Sequence, residues 1–496
     1  MDLLNGIVNC LQPANLLYCF IGCLLGTLVG VLPGLGPSAT LAILLPMTTF
    51  LDSTGSIIML AGIFYGAMYG GSTTSILVNI PGEAASVITT IDGFQMTKQG
   101  RAGEALWIAA VGSFIAGTVG ALALSFMGAT LARSALKFGP PEYFGLLIFC
   151  LTAVVSLSGT SLIKGVSVAL IGIILSAVGI DSTTGVQRFN FGFISLSRGL
   201  DLVALTVGLF GIAEVLNSAS EKVGKIYEGK LGKMMPRGKE LKNGLMAAFR
   251  GTLFGFVLGL LPGMVTALTS FLSYDLEKRI SKNPEQFGKG AIEGVAGPES
   301  ANNATAMAGF FPLMVLGIPT GPAMAVMLAA LILNGVLPGP MLFDTNKDFI
   351  WTVIGSFYVG NVMLLILNLP LVGLWARLST IPYKYLGPCI LAICVVGAYS
   401  NRNILFDVWF ALGAGILGFA MKKYHWPIAP LILGFILGPM VETSFRQSLM
   451  MESAAIFFTR PIPVVFFIMT IAMLIMSVTY LKRHVPKEVL EDDSDK

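Results

Sequence analysis

The chain has 496 residues, 55% of them hydrophobic and only 12% charged, with a mean hydropathy of +0.80 and a formal net charge of +4. Soluble domains carry about 25% charged residues, so this composition excludes a soluble globular domain and requires lipid as the main solvent. The small positive excess sits in loops that obey membrane topology, and it points to no nucleic-acid partner.

The first residues, MDLLNGIVNC, carry Asp2 and no basic stretch, so no cleaved signal peptide is expected and the first membrane helix serves as its own insertion signal. Apolar runs follow at Asn15–Pro33, Ile57–Val78, Leu106–Ala129, Tyr143–Leu157, Val166–Ile180 and Leu202–Leu216. They resume at Leu245–Leu261, Ala304–Ile318, Ala323–Leu337, Ile350–Trp375, Leu386–Ala398, Ile404–Ala420, Ile428–Val441 and Pro463–Leu481. A helix of about 20 residues crosses the bilayer core, so about twelve crossings are expected, with several pieces too short to cross. The six cysteines fall mostly inside these runs without metal-ligand or disulfide spacing, and read as core packing.

Two kinds of interruption recur along the chain. The first is GVLPGLGPSA (Gly30–Ala39), which returns as GLLPGMVTA (Gly259–Ala267). The second is GGSTTSILVNIPGEAAS (Gly70–Ser86), where Ser72, Thr73, Thr74 and Ser75 precede Asn79 and the Pro81-Gly82 break. Its counterpart is GPESANNATA (Gly297–Ala306) followed by GIPTGPA (Gly317–Ala323), on an arm longer by about two helical turns. PPEYFG (Pro140–Gly145) likewise returns as PYKYLG (Pro382–Gly387). Matches in the same order predict an internal duplication.

Basic residues orient the two copies. Between the LPG and IPG breaks the first copy has FLDSTGS, with no basic residue, whereas the second has Lys278, Arg279, Lys282 and Lys289. After the IPG break the bias reverses, with Lys98 and Arg101 in the first copy and one Lys against two Asp in the second. Lys and Arg collect in cytoplasmic loops, so equivalent loops lie on opposite sides. The predicted architecture is an all-α polytopic membrane protein with two inverted-topology repeats, at residues 1–220 and 245–481. Each repeat holds a broken helix and a re-entrant helical hairpin. A basic cytoplasmic linker (221–244) joins them, and a charged tail (482–496) follows.

Inverted repeats with paired broken helices point to a secondary transporter whose site lies at mid-membrane. A helix that stops inside the membrane leaves about four N–H or C=O groups unpaired. The N–H end suits an anion such as a carboxylate, and the C=O end with nearby hydroxyls suits a small hard cation. The substrate-binding candidates are therefore Ser72, Thr73, Thr74, Ser75, Asn79, Pro81 and Gly82 in one hairpin. Asn302, Asn303, Thr305, Gly317, Pro319 and Thr320 are those of the other. The ion-binding candidates are Gly34, Gly36, Ser38, Gly263, Thr266 and Ser300. Packing between helices is the plainer reading of any single Ser or Thr, and a proline kink is that of the LPG breaks.

Charge within the runs is scarce. Glu214, Asp407 and Glu442 lie in or near them, and Glu83, Glu293 and Glu299 flank the polar clusters. Interfacial solvation is the simple account of each, but Glu299 stands out between Pro298 and the Asn pair. The only histidines, His425 and His484, fall near a loop and in the tail, which favours sodium over protons as coupling ion; no cofactor and no other metal are expected. No Arg is placed to clamp a carboxylate beyond the outside candidates Arg250 and Arg460. An enzyme is not expected, because SLSGTS (Ser156–Ser161) has no histidine base in any run.

On these motifs the chain resembles the large membrane subunit of the bacterial tripartite tricarboxylate transporters, the TctA family. The likeness rests on GTLVGVLPGLGPSATLAILLP, YGGSTTSILVNIPGEAASVITTIDG, GPESANNATAMAGFFPLMVLGIPTGPA and NGVLPGPMLF, and in organisation it covers nearly the whole chain. The resemblance implies ion-coupled uptake of di- or tricarboxylates such as citrate by alternating access, in the bacterial inner membrane. It also implies a small four-span membrane subunit and a periplasmic solute-binding protein as partners, and is compatible with a homodimer. A passive anion channel is the rival class. Thr320, Pro322 and Asn334 depart from the family pattern beside the second hairpin, which bears on the choice of substrate.

Overall fold

A computed structural model describes residues 2–32, 36–79, 81–157, 161–181, 184–218, 232–371, 374–375 and 383–477. The first half of the sequence folds into α1 (Asp2–Cys10), α2 (Pro13–Val31), α3 (Pro37–Thr48), α4 (Ser53–Val78), α5 (Val87–Lys98) and α6 (Ala102–Ala135). It continues with α7 (Pro140–Leu157), α8 (Leu162–Ser176), the short α9 (Ile194–Ser197), α10 (Leu202–Thr206) and, after a π-helical stretch at Val207–Ile212, α11 (Ala213–Ser218). The second half holds α12 (Gly238–Gly259), α13 (Thr266–Ile280), α14 (Glu293–Ala308), α15 (Phe310–Leu316), α16 (Pro322–Leu333), α17 (Leu342–Thr345) and α18 (Lys347–Asn368). It ends with α19 (Tyr383–Ser400), α20 (Leu405–Lys423), α21 (Ala429–Met451), α22 (Ile456–Thr459) and α23 (Pro461–Met476). Between α8 and α9 lies one small departure from an all-helical chain, an antiparallel pair of two-residue strands, β1 (Gly179–Ile180) and β2 (Gln187–Arg188).

Proline opens α2, α3, α16 and α23, where its missing N–H costs nothing and its fixed φ suits a helix start. Among the described residues, five helices are long and apolar enough to cross a membrane: α2, α6, α7, α18 and α20. Six shorter apolar helices accompany them, so the chain is a polytopic helical membrane protein. The expected linker is partly helical, because α12 already begins at Gly238. The residues of the expected tail lie outside the described ones.

Two helix pairs dominate the packing, α2 on α4 and α12 on α14. Glycines four residues apart make each close approach possible. A Cβ on Gly22, Gly26 or Gly30 would collide with the carbonyl of Met59, Ile63 or Ala67. Gly251 and Gly255 stand in the same relation to Gly297 and Ala301, and Gly259 to Thr305. Small residues at this spacing let membrane helices approach to backbone contact. As a result α4 is buried on every side from Gly55 to Leu77, and α14 from Gly294 to Ala308. A helix buried all round is central to its domain. Tyr65 of α4, Phe310 of α15 and Phe357 of α18 make tilted ring contacts, with ring centres 5.6 Å and 4.9 Å apart along the series.

Each central helix ends in a reversal of similar design. Asn79 closes α4 in the left-handed region (φ 59), and the chain turns back so that Gly82 packs on Gly71 and on the Gly30 carbonyl. α5 then returns past the end of α4, where Thr97 Oγ1 donates to the Ile76 carbonyl at 2.7 Å. In the second half Gly317 closes α15 with φ 72, and Thr320 comes back to lie against Gly309 before α16 departs. One expectation is corrected here. The polar clusters do not sit at the breaks: α4 runs unbroken through Ser72–Ser75, and α14 runs unbroken through Asn302–Thr305 despite Pro298. The hydroxyls can stay helical because several bond their own backbone, Thr74 and Ser75 both donating to the Gly71 carbonyl.

Candidate functional site

Where α4 and α14 come together, two carboxylates are buried. Glu299 of α14 is 1% exposed, and its oxygens accept from Ser72 Oγ of α4 at 2.5 Å and from Thr89 Oγ1 of α5. Glu83, in the turn after α4, is 6% exposed and accepts from Asn302 Nδ2 of α14 at 2.7 Å. The arrangement is reciprocal, since each half of the sequence supplies one acid and the neutral donors for the other half's acid. Asn303 Nδ2 donates to Ser113 Oγ of α6 at 2.7 Å and to the Glu299 carbonyl at 3.0 Å, which ties α6 to the same junction. Among the described residues no Lys or Arg pairs with Glu83 or Glu299. Burying a carboxylate without a basic partner costs several kcal/mol, so these acids call for a neutralising ion or proton.

A small, mainly apolar cavity adjoins this junction. Tyr69, Ser72 and Thr73 of α4, Asn368 at the end of α18, and Ser113 with Leu106, Ala109 and Ala110 of α6 line it. Two buried amide oxygens nearby have no hydrogen-bond partner, Asn302 Oδ1 beside Glu83 and Asn368 Oδ1 in the cavity wall. Unpaired buried acceptors are rare in folded proteins and mark places where a ligand, an ion or water completes the set.

The structure gathers some of the sequence-predicted residues and separates others. Ser72, Thr73, Asn302 and Asn303 meet at the junction and its cavity. Thr305 is engaged by α12 and α13 instead, its Oγ1 lying 2.9 Å from both the Gly255 carbonyl and Thr269 Oγ1. Asn79 is an exposed cap, whereas Gly82 is buried in the reversal. Gly317, Pro319 and Thr320 form the second reversal, and the Thr320 carbonyl accepts the Gly263 N–H at 3.0 Å. The second LPG break thus meets the second reversal, as Gly30 meets Gly82 in the first half.

The ion candidates are spread more widely. Gly34 lies outside the described residues. Gly36 precedes α3, and its carbonyl accepts both the N–H and the Oγ1 of Thr40 at 3.0 Å. Ser38 is half-buried in the first turn of α3, and Thr266 opens α13. Gly263 adopts φ 80, with its backbone pressed on Ala153 and Val154 of α7. Ser300 is buried against Gly112 of α6, its Oγ without a partner.

The remaining charges are engaged by partners. Glu214 pairs with Lys422 at 2.6 Å, Asp407 with Arg402 at 2.5 Å, and Glu442 with Arg188 at 2.7 Å. Interfacial solvation is therefore not the whole account of these three acids. Arg250 is held by Glu277 at 2.5 Å and Arg460 by Glu142 at 3.1 Å. Among the described residues no group of three or more His, Cys, Asp or Glu side chains could hold a metal ion. Five cysteines are buried and free, while Cys389 is exposed, contrary to the expectation of core packing. Thr89, Ser113 and Asn368 escaped the sequence reading because each lies outside the two polar clusters, Thr89 just past the first of them. Glu83 was visible as the residue after the Pro-Gly break, but its burial was not.

Comparison with known proteins places the chain. The family model "Tripartite tricarboxylate transporter TctA family" matches residues 16–433. The chain is 45% identical over 469 residues to the "Uncharacterized 52.8 kDa protein in TAR-I ttuC' 3'region" of Agrobacterium vitis, covering 93% of each chain. It is 48% identical over 210 residues to the "Uncharacterized protein in TAR-II ttuC' 3'region" of the same organism, covering 42% of this chain and 87% of that one. No solved structure matches it.

Proposed function

Because the chain belongs to the tripartite tricarboxylate transporter TctA family, we propose that it is the large membrane subunit of a sodium-coupled secondary transporter. Its cargo on this reading is a di- or tricarboxylate such as citrate, delivered by a periplasmic binding protein. A small four-span subunit completes the system in the bacterial inner membrane. The observation that carries the reading is the reciprocal junction of α4 and α14, where Ser72 and Asn302 bond the buried acids Glu299 and Glu83.

In this proposal the two sequence halves are inverted repeats, and the reversals after α4 and α15 are re-entrant hairpins. The cargo sits beside Ser72, Thr73, Asn302 and Asn303, with the backbone N–H groups of Gly82 and Thr320 in the two reversals facing its carboxylates. The bare acids nearby would repel such an anion, so cargo entry requires a cation at the junction. Alternating access follows if α4, α14 and their reversals shift together against the surrounding helices, an elevator-type movement. Sealed proteoliposomes with an imposed sodium gradient test the reading. Carboxylate accumulation above equilibrium is expected, and simple equilibration would establish the channel reading instead.

A further inference from the structure

Resting on the transporter reading, we infer that the coupling cation, a small monovalent ion of sodium's chemistry, is seated between the Glu83 carboxylate and Asn302 Oδ1, with Glu299 as the second anionic wall. The seat lies between the reversal after α4 and the middle of α14.

Three observations converge on this place. First, Glu83 and Glu299 are buried with neutral donors only: Asn302 for the one, Ser72 and Thr89 for the other. Second, Asn302 is fully buried and only half satisfied. Its Nδ2 is spent on Glu83, and Oδ1, carried on the same carbon, has no partner. Nδ2 and Oδ1 share one planar amide, so the acceptor without a partner stays within a few ångströms of the carboxylate that Nδ2 contacts. A hard cation is the species that carboxylate and amide oxygens jointly favour. Third, Glu299 and Asn302 lie three residues apart in α14, which puts them on one helix face.

The chemistry explains why such a cation would couple to an anionic cargo. Loading it neutralises charge at the junction and binds the first half's reversal to the second half's central helix. An approaching carboxylate then meets a pocket near neutrality rather than two bare acids. Cation first and cargo second becomes the favoured order, because the cargo's affinity depends on the charge already compensated.

The test uses the purified full-length chain without cargo, in a choline background, and follows thermal unfolding while NaCl replaces choline chloride. Binding to the folded state alone raises the midpoint as ligand is added. We expect sodium to raise it by several degrees where potassium does not. Direct binding of radioactive sodium should saturate in the same range. Glu83→Gln should abolish both effects, and the milder Asn302→Ser should weaken apparent sodium affinity at least tenfold while leaving the fold intact. Glu240→Gln, at an exposed surface pair with Arg101, should behave as the parent. No sodium-specific effect in the parent, or an undiminished one in both junction variants, overturns the assignment. Gradient-driven carboxylate uptake without sodium binding would sink the cation seat and spare the transporter reading. Sodium binding at this seat without any carboxylate uptake would do the reverse.

Discussion

Asp92 of α5 accepts the Tyr274 hydroxyl of α13 at 2.8 Å, and its other oxygen takes backbone N–H bonds from Gly288, Gly290 and Ala291 at 2.7–2.9 Å. The carboxylate is fully buried and closes a clasp between the two sequence halves. Alanine there would strand four donors, and hydrogen bonds to a charged acceptor contribute about 1.5–3 kcal/mol each. Asp92→Ala is expected to lose at least about 3 kcal/mol in detergent unfolding, with Asp92→Asn losing less. An Ala variant as stable as the parent would remove the clasp from the account.

The helix pairs built on glycine give a steric prediction. A Cβ on Gly26 or Gly255 runs into the carbonyl of Ile63 or Ala301, backbone that cannot step aside. Either Gly→Ala change should cost about 1–3 kcal/mol or more through overpacking, seen as a lower midpoint and less monodisperse protein on size exclusion. Gly36→Ala meets open space and should leave both measures unchanged.

Arg402 bonds Asp407 at 2.5 Å and lies 3.6 Å from Asp201, and the Asp407 side chain is 0% exposed. Arg402→Leu leaves a buried charge without its cation, at an expected cost of about 3–5 kcal/mol. Adding Asp407→Asn should recover part of that loss. A double variant no better than the single one would show that charge is not the cause.

At the junction, replacing Asn302 and Asn303 together by Leu removes the donors to Glu83 and Ser113. Uptake should fall to background while membrane insertion, followed by fractionation, persists. Asn79→Gly is the contrasting change, since glycine accepts the left-handed turn at φ 59 without strain. Uptake by that variant should stay near the parent's level.

Much of this was legible in the chain. Proline and glycine interruptions located both reversals, because a helix cannot continue through them without a left-handed or extended residue, and Asn79 and Gly317 supply it. Glu299 stood out as an acid beside an amide pair. The polar clusters were also found, but their place was misjudged. They belong to continuous, fully packed helices, since Thr74 and Ser75 satisfy themselves on the preceding turn and leave no need for a break.

By itself the sequence determined that the protein lives in lipid, which family it belongs to, and where its helices stop and turn, because composition and local backbone preference act over a few residues. Only the tertiary structure decided which polar groups face one another. Ser72 and Glu299 are 227 positions apart, and nothing local brings a hydroxyl to a carboxylate over such a distance. Glycine-lined helix packing does so, by drawing α4 and α14 into the centre and leaving two acids to be answered from across the fold.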